Sequence, residues 1–140
     1  MARQRSVLVV ESDSSELAST VLLLESAGYR VASAAAFDEA KQLLASETPD
    51  LLITGLRLGL YNGLHLILRS RTDHPAMAAI VTSRYRDAVL EAEAQRQHAD
   101  FIVRPMTDSA FLETVNRSLA ATAALSEQNS NSSSISGATA

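Results

Sequence analysis

The sequence predicts an α/β fold in which five parallel strands alternate with five helices, in the order βαβαβαβαβα. Two observations predict this fold. Short apolar runs alternate with longer amphipathic segments up to about residue 120, which is the pattern of repeated βα units. Several of the apolar runs lack polar alternation, as expected of parallel strands that are buried on both faces.

The predicted strands are short runs rich in apolar residues. They span Ser6 to Val10, Tyr29 to Ser33, Asp50 to Thr54, Ala78 to Thr82 and Asp100 to Val103. Pro49 and Pro75 lie just before the third and fourth strands, where proline stops a preceding helix.

The first helix is predicted from Ser14 to Ala27. Its apolar residues recur at the spacing of one helical face, at Leu17, Val21 and Leu24. Asp13 and Glu16 have the spacing of a capping box at the start of the helix, and Gly28 is a C-terminal stop signal. Both ends of this helix are therefore marked in the sequence.

Four further helices are predicted from similar amphipathic patterns. They span Phe37 to Ser46, Gly63 to Thr72, Arg86 to Gln97 and Asp108 to Ala123. In the last of them an inward-facing apolar stripe is expected, made by Phe111, Leu112, Val115 and Leu119.

The chain is predicted to hold one domain, residues 1–123, followed by a tail, residues 124–140. The tail is rich in Ser and Asn and almost free of large apolar residues, so it cannot bury enough surface to offset the entropy of ordering. We expect it to be disordered, as a linker remnant, a tether or a short binding motif, and we expect no second domain after it.

Composition excludes several classes of function. The net charge is −4 with a pI near 5.3, and the twelve basic residues are scattered along the chain, which disfavours nucleic-acid binding. The absence of cysteine excludes disulfides and thiolate sites and agrees with a cytoplasmic location. Near the N-terminus only four consecutive apolar residues precede Glu11, too few for a signal peptide or a membrane span.

Five segments, taken in order, resemble the receiver domain of the response regulators of two-component signalling. They are VLVVESD, GYRV, PDLLITGLRLGLYNG, IVTS and ADFIVRP, and the resemblance covers residues 6 to 120. It implies a flavodoxin-like, doubly wound sheet of strand order 2-1-3-4-5. It also implies a site at the carboxyl ends of the strands, where ligands bind in open α/β sheets.

The resemblance also shows which residues occupy the family's site. The acidic pair that holds Mg²⁺ in the family falls on Glu11 and Ser12, with Asp13 next in the chain. The phosphoacceptor aspartate falls on Gly55, which has no side chain to phosphorylate. A one-residue slip would turn Thr54 to the other side of its strand and lose the matching Asn62–Gly63 turn, so we reject that alignment.

The remaining positions are partly retained. Thr82 falls on the hydroxyl position, Phe101 on the switch aromatic, and Arg104 where the family has a lysine. A guanidinium suits bidentate pairing with a carboxylate, so we hypothesise that Arg104 bonds Glu11 across the pocket. The alternative is a solvated arginine in a loop.

No cofactor is predicted. Mg²⁺ depends on carboxylate oxygens, and with two of the family's acids replaced we expect weak or absent binding. Asp13 suits an N-cap better than a metal ligand, and Ser12, Ser14 and Ser15 lack the glycines of a phosphate-binding loop. His65, His74 and His98 fall in different elements, without ligand spacing.

The predicted function is that of a pseudo-receiver. It would have no enzymatic activity and would act in signal transduction by binding a protein, with no nucleic acid or membrane as partner. The candidate interface is the surface of the fourth helix, the fifth strand and the fifth helix, and a homodimer is one option. Two alternatives stay open: a small-ligand or anion site in the vacated crevice, and phosphorylation of Ser12 or Thr82 by a separate kinase.

Overall fold

The structure is a computed structural model that describes residues 4–122. The elements in chain order are β1 (Ser6–Val10), α1 (Ser14–Ser26), β2 (Arg30–Ala34), α2 (Phe37–Ser46), β3 (Leu51–Gly55), β4 (Arg57–Leu58), β5 (Tyr61–Asn62), α3 (Gly63–Asp73), β6 (Ala78–Ser83), α4 (Ala88–Arg96) and β7 (Asp100–Val103). A last helix, α5, covers 108–122, where the described part ends. The predicted tail lies outside the described residues.

Five parallel strands form one sheet in the order β2-β1-β3-β6-β7. Counted along the chain within this sheet, the order is 2-1-3-4-5, and the predicted fold is confirmed. The register sets Gly55 of β3 beside Thr82 of β6. Within residues 4–122, no helix has the length and apolar character that crossing a membrane requires.

Two apolar cores lie on opposite faces of the sheet. Leu8 and Val10 of β1 belong to the core under α2, α3 and α4, whereas Val7 and Val9 belong to the core under α1 and α5. Successive side chains of a strand point to opposite faces, so one apolar strand supplies both cores. The predicted stripe of α5 packs in the second core, with Phe111, Val115 and Leu119 buried and Leu112 partly buried.

Two predicted boundaries are corrected by hydrogen bonds. The Tyr29 N–H donates to Leu24 O at 3.1 Å as part of the turn that ends α1, so β2 begins one residue later than predicted. The Asp87 side chain accepts bonds from the N–H groups of Val89 and Leu90. Asp87 is therefore the N-cap of α4, and the helix starts two residues after the predicted Arg86.

A β-hairpin that the sequence analysis did not predict joins β3 to α3. Its strands β4 and β5 pair antiparallel through Arg57 with Asn62 and Leu58 with Tyr61. Gly59 has φ +63°, a conformation that glycine adopts without steric cost at the first central position of a two-residue turn. Leu58 is buried beneath the hairpin, whereas Leu60 at the turn is fully exposed.

Candidate functional site

A pocket of about 240 Å³ lies at the carboxyl ends of β1, β3, β6 and β7, the edge where the sequence analysis expected a site. Its walls come from the loops that follow these strands. The lining residues are Glu11, Ser12, Asp13, Glu16, Gly55, Leu56, Arg57, Thr82, Ser83, Arg84, Tyr85 and Arg104. All of the predicted pocket residues therefore come together here, and Phe101 alone among the named site residues lies elsewhere.

The carboxylate of Glu11 lies directly over Gly55. A Cβ atom built on Gly55 would be 3.1 Å from Glu11 Oε1 and 3.3 Å from Oε2. Both contacts are tighter than ordinary van der Waals separation, so the Glu11 carboxylate would have to shift by a few tenths of an ångström to admit a side chain at position 55. The Glu11 carboxylate, which follows β1, therefore lies in the space that a side chain at position 55 of β3 would enter.

The end of β3 is held against the start of α3 by a second glycine. The Gly63 N–H donates to Leu56 O at 2.8 Å, and a Cβ on Gly63 would be only 2.1 Å from Gly55 O and 2.9 Å from Thr54 Oγ1. No side chain fits between these backbones. The close approach of α3 to Gly55 and Leu56, which line the pocket, thus depends on glycine at position 63.

The Glu11 carboxyl group is half-buried and has an altered proton affinity. Burial raises its pKa, and the negative charge of Glu16 raises it further, while the Asp13 N–H that donates to Glu11 Oε2 at 3.2 Å lowers it. Desolvation is the largest of these effects. At neutral pH the folded state therefore carries this carboxylate at a cost.

We expect Glu11→Gln to stabilise the fold at neutral pH. Because the folded-state pKa of Glu11 is raised, the folded protein binds this proton more tightly than the unfolded chain does, and stability is lost as pH rises from the ordinary carboxyl pKa through the raised one. The substitution removes that loss. Because the group is only half-buried, the gain in the free energy of unfolding should be less than about 1 kcal/mol.

Urea unfolding of both proteins between pH 4 and pH 7.5 checks this expectation. The advantage of the Gln variant should grow with pH, whereas Glu25→Gln, at an exposed position of α1, should show no such trend. An advantage that shrinks as pH rises would contradict the assigned direction of the pKa shift.

Arg84 provides the countercharge of the pocket, a role that the sequence analysis missed. It follows β6, and its Nη2 lies 3.5 Å from Asp13 Oδ2 and 3.1 Å from Glu16 Oε1. Asp13 is at the same time the N-cap of α1, accepting the Glu16 N–H at 2.9 Å, as predicted. The available signal was a basic residue directly after the strand that carries Thr82.

Arg104 does not bond Glu11, and that hypothesis is wrong. Its Nη2 donates to Thr20 Oγ1 at 3.1 Å, and its guanidinium carbon lies 4.8 Å from the centre of the Phe111 ring. Thr20 and Phe111 are buried residues of α1 and α5, so the guanidinium packs between these helices, where an aromatic face attracts a cation. Its Nε atom is buried and has no hydrogen-bond partner among residues 4–122.

The other predicted positions divide between the pocket and the core. Thr82 is 5% exposed and lines the pocket, and its hydroxyl makes no hydrogen bond within the described part of the chain. Ser12 is exposed and donates from Oγ to Arg57 O at 3.3 Å. Phe101 is partly buried against the core under α2, α3 and α4, so its ring belongs to the core.

The residues present do not fit the Mg²⁺ site of the receiver family. Mg²⁺ needs carboxylate oxygens in octahedral geometry, but Asp13 and Glu16 are paired with Arg84. Across residues 4–122 no group of three or more His, Cys, Asp or Glu side chains is arranged to hold a metal. His65, His74 and His98 accordingly form no ligand cluster.

A five-stranded doubly wound sheet with its pocket at the strands' carboxyl ends defines the class of α/β domains to which receivers belong. The family model of the response regulator receiver domain matches residues 7–116. The chain therefore belongs to the response regulator receiver domain family, whose members are modules of two-component signalling.

Relatives among characterised proteins are longer than this chain. The alginate biosynthesis transcriptional regulatory protein AlgB of Pseudomonas aeruginosa is 31% identical over 104 residues, covering 74% of this chain and 23% of AlgB. The transcriptional regulatory protein FixJ of Azorhizobium caulinodans is 33% identical over 117 residues, covering 81% of this chain and 54% of FixJ. The chain thus spans a quarter to a half of these regulators.

Solved structures show the same fold. A response regulator receiver protein from Pseudomonas putida has a TM-score of 0.76 at 29% identity, covering 84% of this chain and 99% of that one. A CheY-like receiver domain from Methanospirillum hungatei has a TM-score of 0.80 at 24% identity, covering 86% and 97%. The second likeness concerns the fold alone.

Proposed function

We propose that this receiver domain acts as a pseudo-receiver, signalling through protein contact without phosphorylation of an aspartate. The observation that carries the proposal is the pair Gly55 and Glu11. Glycine stands where the family has its phosphoacceptor, and the Glu11 carboxylate covers that glycine at 3.1 Å from a built Cβ. An acyl phosphate cannot form on a residue without a carboxylate.

The charges around the pocket support the same proposal. A divalent cation and a phosphoryl group would normally neutralise one another at such a site. Here Arg84 pairs with Asp13 and Glu16, and Arg104 is engaged by Thr20 and Phe111. The pocket therefore has an internal countercharge in place of the metal and phosphate.

The proposed protein interface is the surface of α4, β7 and α5, where a signalling protein or a second copy would bind. Tyr85 and Val89, at the start of this surface, are 75% and 73% exposed. The two residues are four positions apart in the chain, and exposed apolar patches are typical of contact sites. No enzymatic activity is proposed, and the cytoplasm is the proposed location.

An amide-resolved NMR titration with Mg²⁺ and then beryllofluoride, a mimic of the phosphorylated aspartate, tests the proposal. We expect no saturable shifts, because the acceptor is absent and the acids are already paired. A receiver that retains the aspartate, titrated in parallel, is the positive control. Saturable shifts at Glu11, Thr82 and Arg104 would contradict the pseudo-receiver.

A second candidate function is the binding of a small anion in the pocket. It is favoured by the Thr82 hydroxyl, which makes no hydrogen bond within residues 4–122, and by Arg57, which lines the pocket. Phosphorylation by a separate kinase fits Ser12, which is exposed, better than Thr82, which is buried. Phosphate titration and intact-mass measurement of protein from its native cell distinguish these two alternatives.

A further inference from the structure

The β4–β5 hairpin and the neighbouring helix α3 carry three large apolar side chains that are exposed. Leu60 is 100%, Tyr61 50% and Leu68 of α3 55% exposed. The Tyr61 ring stacks on Phe37 of α2 with centroids 4.5 Å apart, and Phe37 lies 6.2 Å from the His65 ring. The hairpin tip is thereby joined to both α2 and α3.

Folding does not account for leucine at position 60. The turn requires only the positive φ of Gly59, and a side chain that is fully in solvent gains nothing from burial. A single exposed leucine is ordinary. A cluster continuous with an aromatic stack is typical of a surface that contacts another molecule.

A groove with a volume of about 220 Å³ lies between the same two helices, α2 and α3. Leu44 and Leu66 line it, with Lys41 and Arg69 on its sides. The Lys41 Nζ lies 5.9 Å from the centre of the Phe37 ring, which connects the groove to the hairpin tip.

The groove carries two basic side chains and one acidic side chain. Neither Lys41 nor Arg69 makes an ion pair within residues 4–122. Asp73 and His74 lie in the groove as well, and the His74 ring is engaged by Leu44 O and the Thr48 hydroxyl. The groove lining thus carries two cations and one carboxylate, that of Asp73, a small excess of positive charge in a chain whose net charge is −4.

We propose that the α2–α3 groove and the hairpin tip dock an acidic amphipathic segment of a partner protein. The apolar face of the segment would cover Leu60, Tyr61 and Leu68, and its carboxylates would reach Lys41 and Arg69. A second copy fits less well, because a symmetric contact at this face would bring the same two cations together. This surface is distinct from that of α4, β7 and α5.

The test uses the full 140-residue chain and a synthetic helical peptide with Leu and Glu at i, i+3 and i+4 spacing. NMR titration should give saturable shifts in α2, the hairpin and α3. The same peptide with Lys in place of Glu should bind at least about tenfold more weakly, since electrostatic complementarity decides between them.

Two variants locate the contact. The double variant K41E/R69E should weaken binding about tenfold, whereas R5E/R30E, two exposed arginines beside β1 and in β2, should leave it unchanged. Leu60→Ser should weaken binding roughly three- to tenfold. Because Leu60 is fully exposed, its thermal unfolding curve should match that of the parent.

Several results would overturn the inference: equal affinity for the acidic and basic peptides, shifts confined to α4, β7 and α5, or absence of saturable shifts at millimolar peptide. Sedimentation that shows a dimer lost in K41E/R69E would assign the groove to a second copy instead. None of these outcomes depends on the beryllofluoride titration, so the pseudo-receiver proposal and this one can fail separately.

Discussion

Replacing Gly63 with alanine should destabilise the domain by about 3 kcal/mol or more. The new Cβ would lie 2.1 Å from Gly55 O and 2.9 Å from Thr54 Oγ1, far inside van der Waals contact, and the first of these atoms is backbone. Relief requires α3 to move away from β3, which breaks the 2.8 Å bond from the Gly63 N–H to Leu56 O. Close-packed interiors resist such displacement.

Thermal and urea unfolding measure this effect, with Gly59→Ala as the matched control. Unlike Gly63, Gly59 has positive φ, at +63°, and open space surrounds the position of its Cβ, so the control should cost only the backbone penalty of about 1 kcal/mol. The Gly63 variant should melt about 10 to 15 °C lower than the parent. Equal losses in the two variants would mean that the close approach of Gly63 to Gly55 is not rigid.

Placing an aspartate at position 55 should destabilise this protein without enabling phosphorylation at that position. Gly55→Asp places a second carboxylate beside that of Glu11, whose oxygens lie 3.1 and 3.3 Å from the built Cβ. Two carboxylates that share one pocket disfavour each other's ionisation, and after relaxation we expect a loss of about 2 kcal/mol at neutral pH. Lowering the pH toward 5 should recover part of this loss.

The double variant Gly55→Asp with Glu11→Gln separates repulsion from steric effects. It removes one charge at nearly constant size and should recover most of the lost stability. Beryllofluoride should still give no saturable NMR shifts with Gly55→Asp alone, since Arg84 remains paired with Asp13 and Glu16. Saturable binding in the single variant would show that only the aspartate was missing from the site.

Most of the fold could be predicted from the sequence because its signals are local and repeated. Apolar runs fixed β1, β3, β6 and β7 to within one residue, and the Asp13 cap and Gly28 fixed the ends of α1. The hairpin was missed because strands of two residues, β4 and β5, are too short to show any periodicity. Its one local signal, Gly59 between two leucines, is also compatible with an irregular loop.

The site was predictable in position but not in its contacts. Glu11, Gly55 and Thr82 follow or end neighbouring parallel strands, so their meeting at one edge follows from topology. The contacts of the Arg104 side chain do not follow from topology, because its partner Thr20 is 84 residues away in the chain. Arg84 was missed for the same reason: its partners Asp13 and Glu16 are 71 and 68 residues away in the chain.

Under the proposed function, glycine at position 55 also changes what sets the duration of a response. An acyl phosphate hydrolyses spontaneously, and the rate of this hydrolysis limits how long a receiver stays phosphorylated after a stimulus. In the proposed pseudo-receiver no such bond is made or broken, so the duration of a response would follow the lifetime of the complex with its partner. Its amplitude would follow the number of copies in the cell, so synthesis and degradation of the chain would take the place of kinase and phosphatase.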